Sequence, residues 1–298
     1  MRIGVDLGGT KIEVAALDAV GAVVPRRRVH TPAQDYEATI VTIRALVEAV
    51  EAELGRRCSV GVAMPGAISP ATGRVKNANS TCLIGRRIDC DLEAALGRAV
   101  RLANDADCFA LSEAVDGAAT GARSVFGVIL GTGVGGGIAI AGKLLAGANA
   151  IAGEWGHNPL PWPADSERPG PPCYCGKAGC IETFLSGPAL AADHLRITGA
   201  DCDAASIAQA AEAGETAAQA SVMRYVDRLA RGLASVINIV DPEFVVLGGG
   251  VSRIAALYDA VPRIWGRYVF SDVVATRLVP PVHGDSSGVR GAAWLWPE

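Results

Sequence analysis

Three cysteines and one histidine form the densest group of potential metal ligands in this sequence. Cys173, Cys175 and Cys180 lie in one short glycine-rich loop, and His157 precedes them. Three thiolates and one imidazole make a complete tetrahedral set for a structural Zn²⁺ and leave no open position for catalysis. A disulfide is one alternative, although it would strand the third thiol, and a chance cluster is another. The spacing favours a zinc site.

Three glycine-rich turns form a second group of residues that could bind a ligand. Backbone N–H groups can converge on an anion at such turns, because no side chains intervene, and Thr10 and Thr132 add hydroxyl donors. One such turn alone would indicate only a tight hairpin, but three in one chain favour phosphate binding. Each follows a predicted strand, and their sequences are Gly8-Gly9-Thr10-Lys11, Gly131-Thr132-Gly133-Val134-Gly135-Gly136-Gly137 and Gly248-Gly249-Gly250.

These turns do not match either of the two common nucleotide motifs. Gly131-x-Gly133-x-x-Gly136 satisfies the dinucleotide fingerprint, but it leads into a predicted strand, whereas that fingerprint works by opening a helix. The P-loop pattern is absent as well, because no Gly-Lys pair is followed by Ser or Thr. Neither common nucleotide-binding fold is therefore predicted.

Two aspartates stand where predicted strands end. Asp6 ends the first strand, and Asn104-Asp105 separates a strand at 100–103 from a helix at 106–114. Ligands of open α/β sheets bind at the carboxyl ends of strands. Asp105 could accept a proton from such a ligand, or it could simply cap the helix. The residues alone leave both interpretations open.

The order of predicted elements indicates an α/β protein with an internal repeat. Gly4-Val5-Asp6-Leu7-Gly8 matches Gly127-Val128-Ile129-Leu130-Gly131, and each is followed by another strand. Periodicity predicts helices at 35–54 and 217–240. The repeat predicts two similar domains, at 1–117 and 118–298, with the last helix packing back on the first domain.

Composition and charge exclude several classes of protein. Half of the 298 residues are hydrophobic and 19% are charged, which is typical of a folded globular chain. A net charge of −4 provides no electrostatic footprint for nucleic acid or an anionic membrane. The start of the chain lacks the pattern of a signal peptide, and the uncharged stretch at 124–142 contains seven glycines, which suit a buried hairpin. We therefore expect a cytoplasmic protein.

The glycine turns and the cysteine loop together resemble the ROK (repressor, open reading frame, kinase) family. The most specific motif is Gly153-Glu154-Trp155-Gly156-His157 followed by Cys173-Tyr174-Cys175-Gly176-Lys177-Ala178-Gly179-Cys180-Ile181-Glu182. The likeness covers essentially the whole chain. It implies a two-domain, actin-like (ribonuclease-H-like) α/β sugar kinase fold with an interdomain cleft, which uses ATP and Mg²⁺ and carries a structural Zn²⁺. A homodimer is usual for the family.

The resemblance also implies a role for individual residues. Asp105 would be the catalytic base, and His157, Cys173, Cys175 and Cys180 would bind the zinc. The sugar would contact Gly66, Asn79, Asn104, Glu154, His157 and Glu182. A solvated loop carboxylate is the alternative for Glu154 and Glu182. The nucleotide and its magnesium would lie near Asp6, Gly8, Gly9, Thr10, Lys11, Gly131, Thr132, Gly133, Gly135, Gly136, Gly248, Gly249 and Gly250.

Longer stretches around 75–81, 152–162 and 283–296 are similar to bacterial fructokinases of the manno(fructo)kinase type. This similarity implies phosphorylation of D-fructose to fructose 6-phosphate. Phosphorylation of N-acetylglucosamine or glucose is the alternative, because such kinases share the cysteine motif. A sugar-responsive repressor would require a DNA-binding segment, for which the sequence before the first turn leaves no room. We therefore expect an enzyme whose partners are a hexose and ATP.

Overall fold

In the computed structural model, the described residues are 1–32, 34–78 and 80–297. They form two compact units. Unit 1 comprises Met1–Gly121, Gly137–Ala152 and Val282–Glu298, and unit 2 comprises Ala122–Gly136 and Gly153–Pro281. The boundary that the sequence predicts near residue 117 stays a prediction. Within the described residues, no helix is both long and apolar enough to cross a membrane.

Unit 1 is built on a five-stranded mixed sheet with the order β3-β2-β1-β4-β7. Strands β1 and β2 form an antiparallel hairpin, whereas β4 pairs in parallel with β1 and β7. Apolar side chains of the central strands and of α1 and α2 form the core. The elements are β1 (Arg2–Leu7), β2 (Lys11–Leu17), β3 (Val23–His30), α1 (Tyr36–Leu54), β4 (Ser59–Met64), β5 (Ala67–Ile68), β6 (Val75–Lys76), α2 (Ile88–Leu96), β7 (Val100–Asn104) and α3 (Asp105–Val115).

A second five-stranded sheet has the order β10-β9-β8-β11-β12. Strand β11 pairs in parallel with β8 and β12, and the long helix α7 is buried on all sides at residues 228–234. The elements are β8 (Ser124–Leu130), β9 (Val134–Ile140), β10 (Lys143–Leu144), α4 (Glu182–Leu185), α5 (Gly187–Thr198), α6 (Ala204–Glu212), α7 (Thr216–Val240), β11 (Phe244–Gly248), α8 (Ala256–Trp265) and β12 (Arg277–Val279).

The last helix, α9 (Ser287–Trp294), packs on β1, β4 and α3 within unit 1. Glycines make this packing unusually close. A Cβ atom on Gly4 would lie 1.8 Å from the Val289 carbonyl oxygen, and one on Gly291 would lie 1.7 Å from that of Cys108. Larger residues at these positions would force the helix away, because real Cβ atoms do not approach carbonyl oxygens so closely.

Most predicted elements have the predicted type, with small differences at their ends. The strand expected at 100–103 extends to Asn104, and the helix expected at 106–114 begins at Asp105 and ends at Val115. The stretch at 124–142 is a strand–turn–strand unit, as its glycines predict. The long helix occupies Thr216–Val240, one residue longer than its periodicity indicates.

Candidate functional site

A cavity of about 310 Å³ in unit 1 lies at the carboxyl ends of β1 and β7. It brings together Asp6, the first glycine turn and Asp105, which are far apart in the sequence. Thr10 and Lys11 complete the turn without lining the cavity, and the Gly8 N–H donates to the Lys11 carbonyl at 3.0 Å. The lining residues include Asp6, Leu7, Gly8, Gly9, Thr31, Pro65, Ser80, Cys82, Leu83 and Asp105.

The carboxyl group of Asp6 has an unusual protonation equilibrium. Its pKa is raised to about 7, mainly by burial and also by the carboxylates of Asp105 and Glu13. The nearby cations Lys11 and Arg28 lower the pKa by less. A divalent cation at this position would reverse the effect, because it stabilises the ionised form. The chemistry of these oxygen donors therefore fits Mg²⁺, for which carboxylates are the usual protein ligands.

We expect Asp6→Asn to stabilise the protein in the absence of metal and nucleotide, increasingly so at higher pH. The unfolded chain releases the Asp6 proton near pH 4, whereas the folded chain retains it up to about pH 7. Stability therefore falls as the pH rises between these values, by at most about 4 kcal/mol. Melting temperatures of both proteins at pH 5 and pH 8, in EDTA, test this. An equal difference at the two pH values would contradict it.

Asn104 organises the backbone around the second aspartate. Its side-chain oxygen accepts the Ala106 N–H at 2.8 Å, which makes it the N-cap of α3, and its amide donates to the Gly66 carbonyl at 3.0 Å. Gly66 has a left-handed φ of 76°, and a Cβ there would lie 2.4 Å from the Lys76 carbonyl oxygen. Only glycine fits this position without strain.

Asn104, and not Asp105, is the N-cap residue of α3. Asp105 is the first residue of α3, its side chain is exposed, and its Oδ1 also accepts the Ala106 N–H at 2.8 Å. The sugar contacts proposed for Gly66 and Asn104 remain predictions. Asn79, the other sugar-binding residue predicted in this part of the chain, lies outside the described residues.

The second and third glycine turns meet at a cavity of about 710 Å³ in unit 2. Gly131, Thr132 and Gly250 line it, and Gly249 packs directly on the end of β8, where a Cβ would lie 2.4 Å from the Leu130 carbonyl oxygen. The remaining wall comes from α5 and α6, and no sequence motif indicated it. It includes Gly187, Pro188, Ala204, Ala205, Ala208 and Gln209.

Gly135 and Gly136 of the second turn contact Trp155 instead of lining this cavity. The Gly135 carbonyl accepts the Trp155 indole N–H at 3.1 Å, and a Cβ on Gly136 would lie 2.7 Å from the Gly153 carbonyl oxygen. These packing contacts are enough to explain why both positions are glycine. Their proposed contact with nucleotide, like that of Gly133, Gly248 and Gly249, remains a prediction.

The four predicted zinc ligands converge in unit 2. The ligand atoms of His157, Cys173, Cys175 and Cys180 all lie within 4.8 Å of one another. The sulfurs of Cys175 and Cys180 are 3.6 Å apart, and His157 Nδ1 is 3.6 Å from the Cys173 sulfur. A tetrahedral Zn²⁺ with Zn–S bonds of about 2.3 Å separates its sulfurs by about 3.8 Å. The donor set and its spacing fit Zn²⁺.

The pKa values of the three cysteine thiols are also consistent with a bound cation at this site. Burial raises the pKa of Cys180 to about 12 and raises that of Cys173, whereas the N–H of Lys177 lowers that of Cys175. Buried thiolates are unfavourable without a compensating positive charge. A bound Zn²⁺ would supply that charge.

Tyr174 contacts His157, which is both a predicted metal ligand and a predicted sugar-binding residue. Its hydroxyl lies 3.0 Å from His157 Nε2, the nitrogen that faces away from the cysteines. The predicted sugar contact of His157 would use this same nitrogen and remains a prediction. Tyr174 itself was missed, although it stands between two ligand cysteines.

The proline-rich segment before the cysteines is held by a buried ion-pair network. Glu167 pairs with Arg228 at 2.7 Å and with Arg231 at 2.9 Å, both on α7. Burial opposes ionisation of Glu167, but the bonds from Arg231 and Arg228 outweigh it and lower its pKa to about 2. Arg231 also donates to the Trp162 carbonyl at 2.9 Å. The segment therefore has an anchor that is independent of the metal cluster.

Glu182 contacts the second glycine turn. Its Oε2 accepts the Val134 N–H at 2.9 Å, and a Cβ on Gly133 would lie 2.7 Å from the same oxygen. Glu154 directly precedes the short 3₁₀ turn Trp155–His157. The two carboxylates thus flank the metal loop, as the sequence places them, but Glu182 already has a backbone partner.

Comparison with known proteins adds a family assignment and several close relatives. The model of the ROK family matches residues 2–298. The N-acetylgalactosamine kinase AgaK of Shewanella sp. (strain ANA-3) is 39% identical over 297 residues, which cover 99% of this chain and 96% of that protein. The N-acetyl-D-glucosamine kinase of Vibrio cholerae serotype O1 is 40% identical over 299 residues, 99% of each chain.

A solved structure shows the same fold. The ROK hexokinase from Thermus thermophilus superposes with a TM-score of 0.87 at 32% sequence identity, covering 98% of this chain and 96% of that one. The match extends over nearly every element described above.

Proposed function

This chain belongs to the ROK family of sugar kinases, and we propose that it transfers a phosphoryl group from ATP to a hydroxyl of an N-acetylated hexosamine, with N-acetylglucosamine first. The relatives named above support this choice over fructose, to which the sequence motifs gave first rank. Fructose and glucose therefore become the competing substrates. We also propose that the protein forms a homodimer and is cytoplasmic.

The unit 1 cavity is the observation that carries the proposal. It places the exposed carboxylate of Asp105 beside Asp6 and the first glycine turn. Phosphoryl transfer requires a base for the attacking hydroxyl and positive charge for the phosphates, with little covalent chemistry from the protein. Asp105 accepts the proton of the sugar hydroxyl, and the turn amides bind phosphate oxygens. Mg²⁺, held near Asp6, would neutralise phosphate charge when it enters with ATP.

The unit 2 cavity suits the rest of the nucleotide. Its walls combine alanines of α6 with Val251 and Ile254, and polar groups come from Gln209 and Arg253. Ligand pockets commonly have this composition, with apolar walls and a few polar groups that fix orientation. We assign it to the adenosine, with Gly131 and Thr132 on the phosphate side.

A substrate panel tests the proposed function. Release of ADP is measured with N-acetylglucosamine, N-acetylgalactosamine, N-acetylmannosamine, glucose, mannose and fructose, each reported as kcat/KM. We expect the highest kcat/KM for N-acetylglucosamine. A higher value for fructose would restore the first interpretation of the sequence, and the absence of ADP release with every sugar would contradict both.

We expect Thr132→Val to weaken ATP binding by about ten-fold or more, because a hydrogen bond to a charged group is worth about 1.5–3 kcal/mol. Thr132 is exposed on the cavity wall, so its loss should not disturb the core. Calorimetric titration with ATP and with sugar measures both affinities. We expect the same loss of ATP affinity for Thr10→Val. A change in sugar preference with unchanged ATP affinity would refute the assignment of the turns to phosphate.

A further inference from the structure

Glu182 contacts a different partner from the one its motif implies. Its Oε2 accepts the Val134 N–H at 2.9 Å, where Val134 is the first residue of β9 and directly follows Gly131–Gly133. We propose that Glu182 is a positioning residue for the phosphate-binding turn Gly131–Gly133, and that it fixes this turn through Val134. The proposal rests on the assignment of that turn to the phosphates of ATP.

The turn is held at both of its ends by the same stretch of chain. At the start, the Gly187 N–H donates to the Gly131 carbonyl at 2.8 Å, and at the end Glu182 binds Val134. Glu182 and Gly187 lie at the start of α4 and of α5. A turn fastened at both ends keeps its N–H groups aimed in one direction, which is the preorganisation that anion binding requires.

The Glu182 carboxylate occupies the space that a side chain at position 133 would need. A Cβ on Gly133 would lie 2.7 Å from Oε2, closer than real Cβ contacts. Gly133 has no left-handed φ, so alanine there would be tolerated by the backbone itself. Gly133→Ala should therefore act mainly by displacing the Glu182 carboxylate from Val134.

Glu182 is also rigidly connected to the metal loop. Only the fully buried Ile181 separates it from the ligand Cys180. The Ile181 N–H donates to the Asn158 carbonyl at 2.8 Å, which ties this stretch to the residue that follows His157. Glu182 therefore connects the loop of the predicted metal ligands to the turn.

Binding of ATP and of adenosine to the zinc-loaded protein, each without sugar, tests the positioning role. We expect Glu182→Ala to raise the Kd of ATP by about ten-fold or more and to leave that of adenosine within about two-fold, because only ATP uses the turn. Glu182→Gln keeps an acceptor oxygen and should restore most of the ATP affinity. Glu154→Ala, which also removes a carboxylate beside the metal loop, should leave the ATP affinity unchanged.

A double-mutant cycle gives the second measurement. If Gly133→Ala acts through Glu182, its effect and that of Glu182→Ala on ATP affinity should not add, and the double variant should bind like the weaker single variant. Additive effects, or unchanged ATP affinity in Glu182→Ala with unchanged melting temperature and zinc content, would overturn the proposal. Failure of the unsubstituted protein to bind ATP would instead overturn the proposed function.

Discussion

Replacing Asp105 with Asn is expected to lower kcat by roughly 10²- to 10⁴-fold, because the substitution removes the proton acceptor. The fold should tolerate it. Asn104 is the N-cap of α3 and accepts the Ala106 N–H at 2.8 Å, so the cap does not depend on Asp105. The loss of one negative charge at the helix start costs about 0.3–1 kcal/mol, and reduced repulsion with Asp6 offsets part of it.

Sugar affinity separates this role from a structural one. The Asn side chain can still hydrogen-bond a hydroxyl, so calorimetry should show a much smaller change in sugar affinity than in kcat. Asp107→Asn is the matched control, since it removes a charge from the same first turn but does not line the cavity. If Asp105→Asn unfolds the protein, or turns over normally while binding sugar weakly, Asp105 is structural. Glu154 and Glu182 would then be the next candidates for the base.

Replacing Cys180 with Ser is expected to remove the metal, to lower the melting temperature and to weaken ATP binding. The purified protein should contain about one zinc per chain, measured by metal analysis, and the variant should contain almost none. If a structural zinc site contributes several kcal/mol to the free energy of unfolding, its loss lowers the melting temperature by roughly 10 °C in a protein of this size. ATP affinity should fall if Glu182 positions the proposed phosphate turn, because Glu182 is two residues from Cys180 and accepts the Val134 N–H beside that turn.

Cys202→Ser provides the control for loss of a thiol. Cys202 is a free, half-buried cysteine outside the metal cluster, and its substitution should change neither the zinc content nor the melting temperature. Removal of zinc by a chelator and its return should reproduce and reverse the effects of Cys180→Ser. A metal-free preparation with full activity and an unchanged melting temperature would exclude a structural zinc.

Local patterns were sufficient for the fold class and for the grouping of the metal ligands. The α/β class could be predicted because the strands are continuous apolar runs that end in glycine turns. The actin-like fold was implied by the resemblance to the ROK family, and it is confirmed. The metal ligands could be grouped because three of them lie in one loop, and the structure brings all four within 4.8 Å. The presence of a metal at this site, and its identity as zinc, remain proposals.

Contacts between distant parts of the chain could not be predicted. The Glu182 carboxylate finds the Val134 amide 48 positions away, and Glu167 finds Arg231 64 positions away. No periodicity or spacing encodes such pairs, because they depend on how α4 and α7 pack in the folded protein. The contribution of α6 to the wall of the unit 2 cavity could not be predicted either, because its alanines are typical of any helix.

Sequence motifs also could not predict which sugar is the substrate. The cysteine motif is common to kinases of several sugars, so it selects the reaction and the metal loop without selecting the hexose. Discrimination between sugars depends on hydrogen bonds to a few hydroxyl or acetyl groups. Asn79, one residue expected to make such a bond, lies outside the described residues.

The packing of α9 on β1 sets the order in which the chain can fold during synthesis. Unit 1 contains the first strands of the chain, but the helix that covers Gly4 and Gly61 is formed by residues that follow all of unit 2 in the sequence. At about 5–20 residues per second, the sheet face made by β1 and β4 waits about 10–35 s after residue 121 emerges for its covering helix. All residues of unit 2 are made before that helix. Unit 1 therefore completes its fold only after unit 2 has been synthesised, and until then the face of β1 and β4 lacks its covering helix.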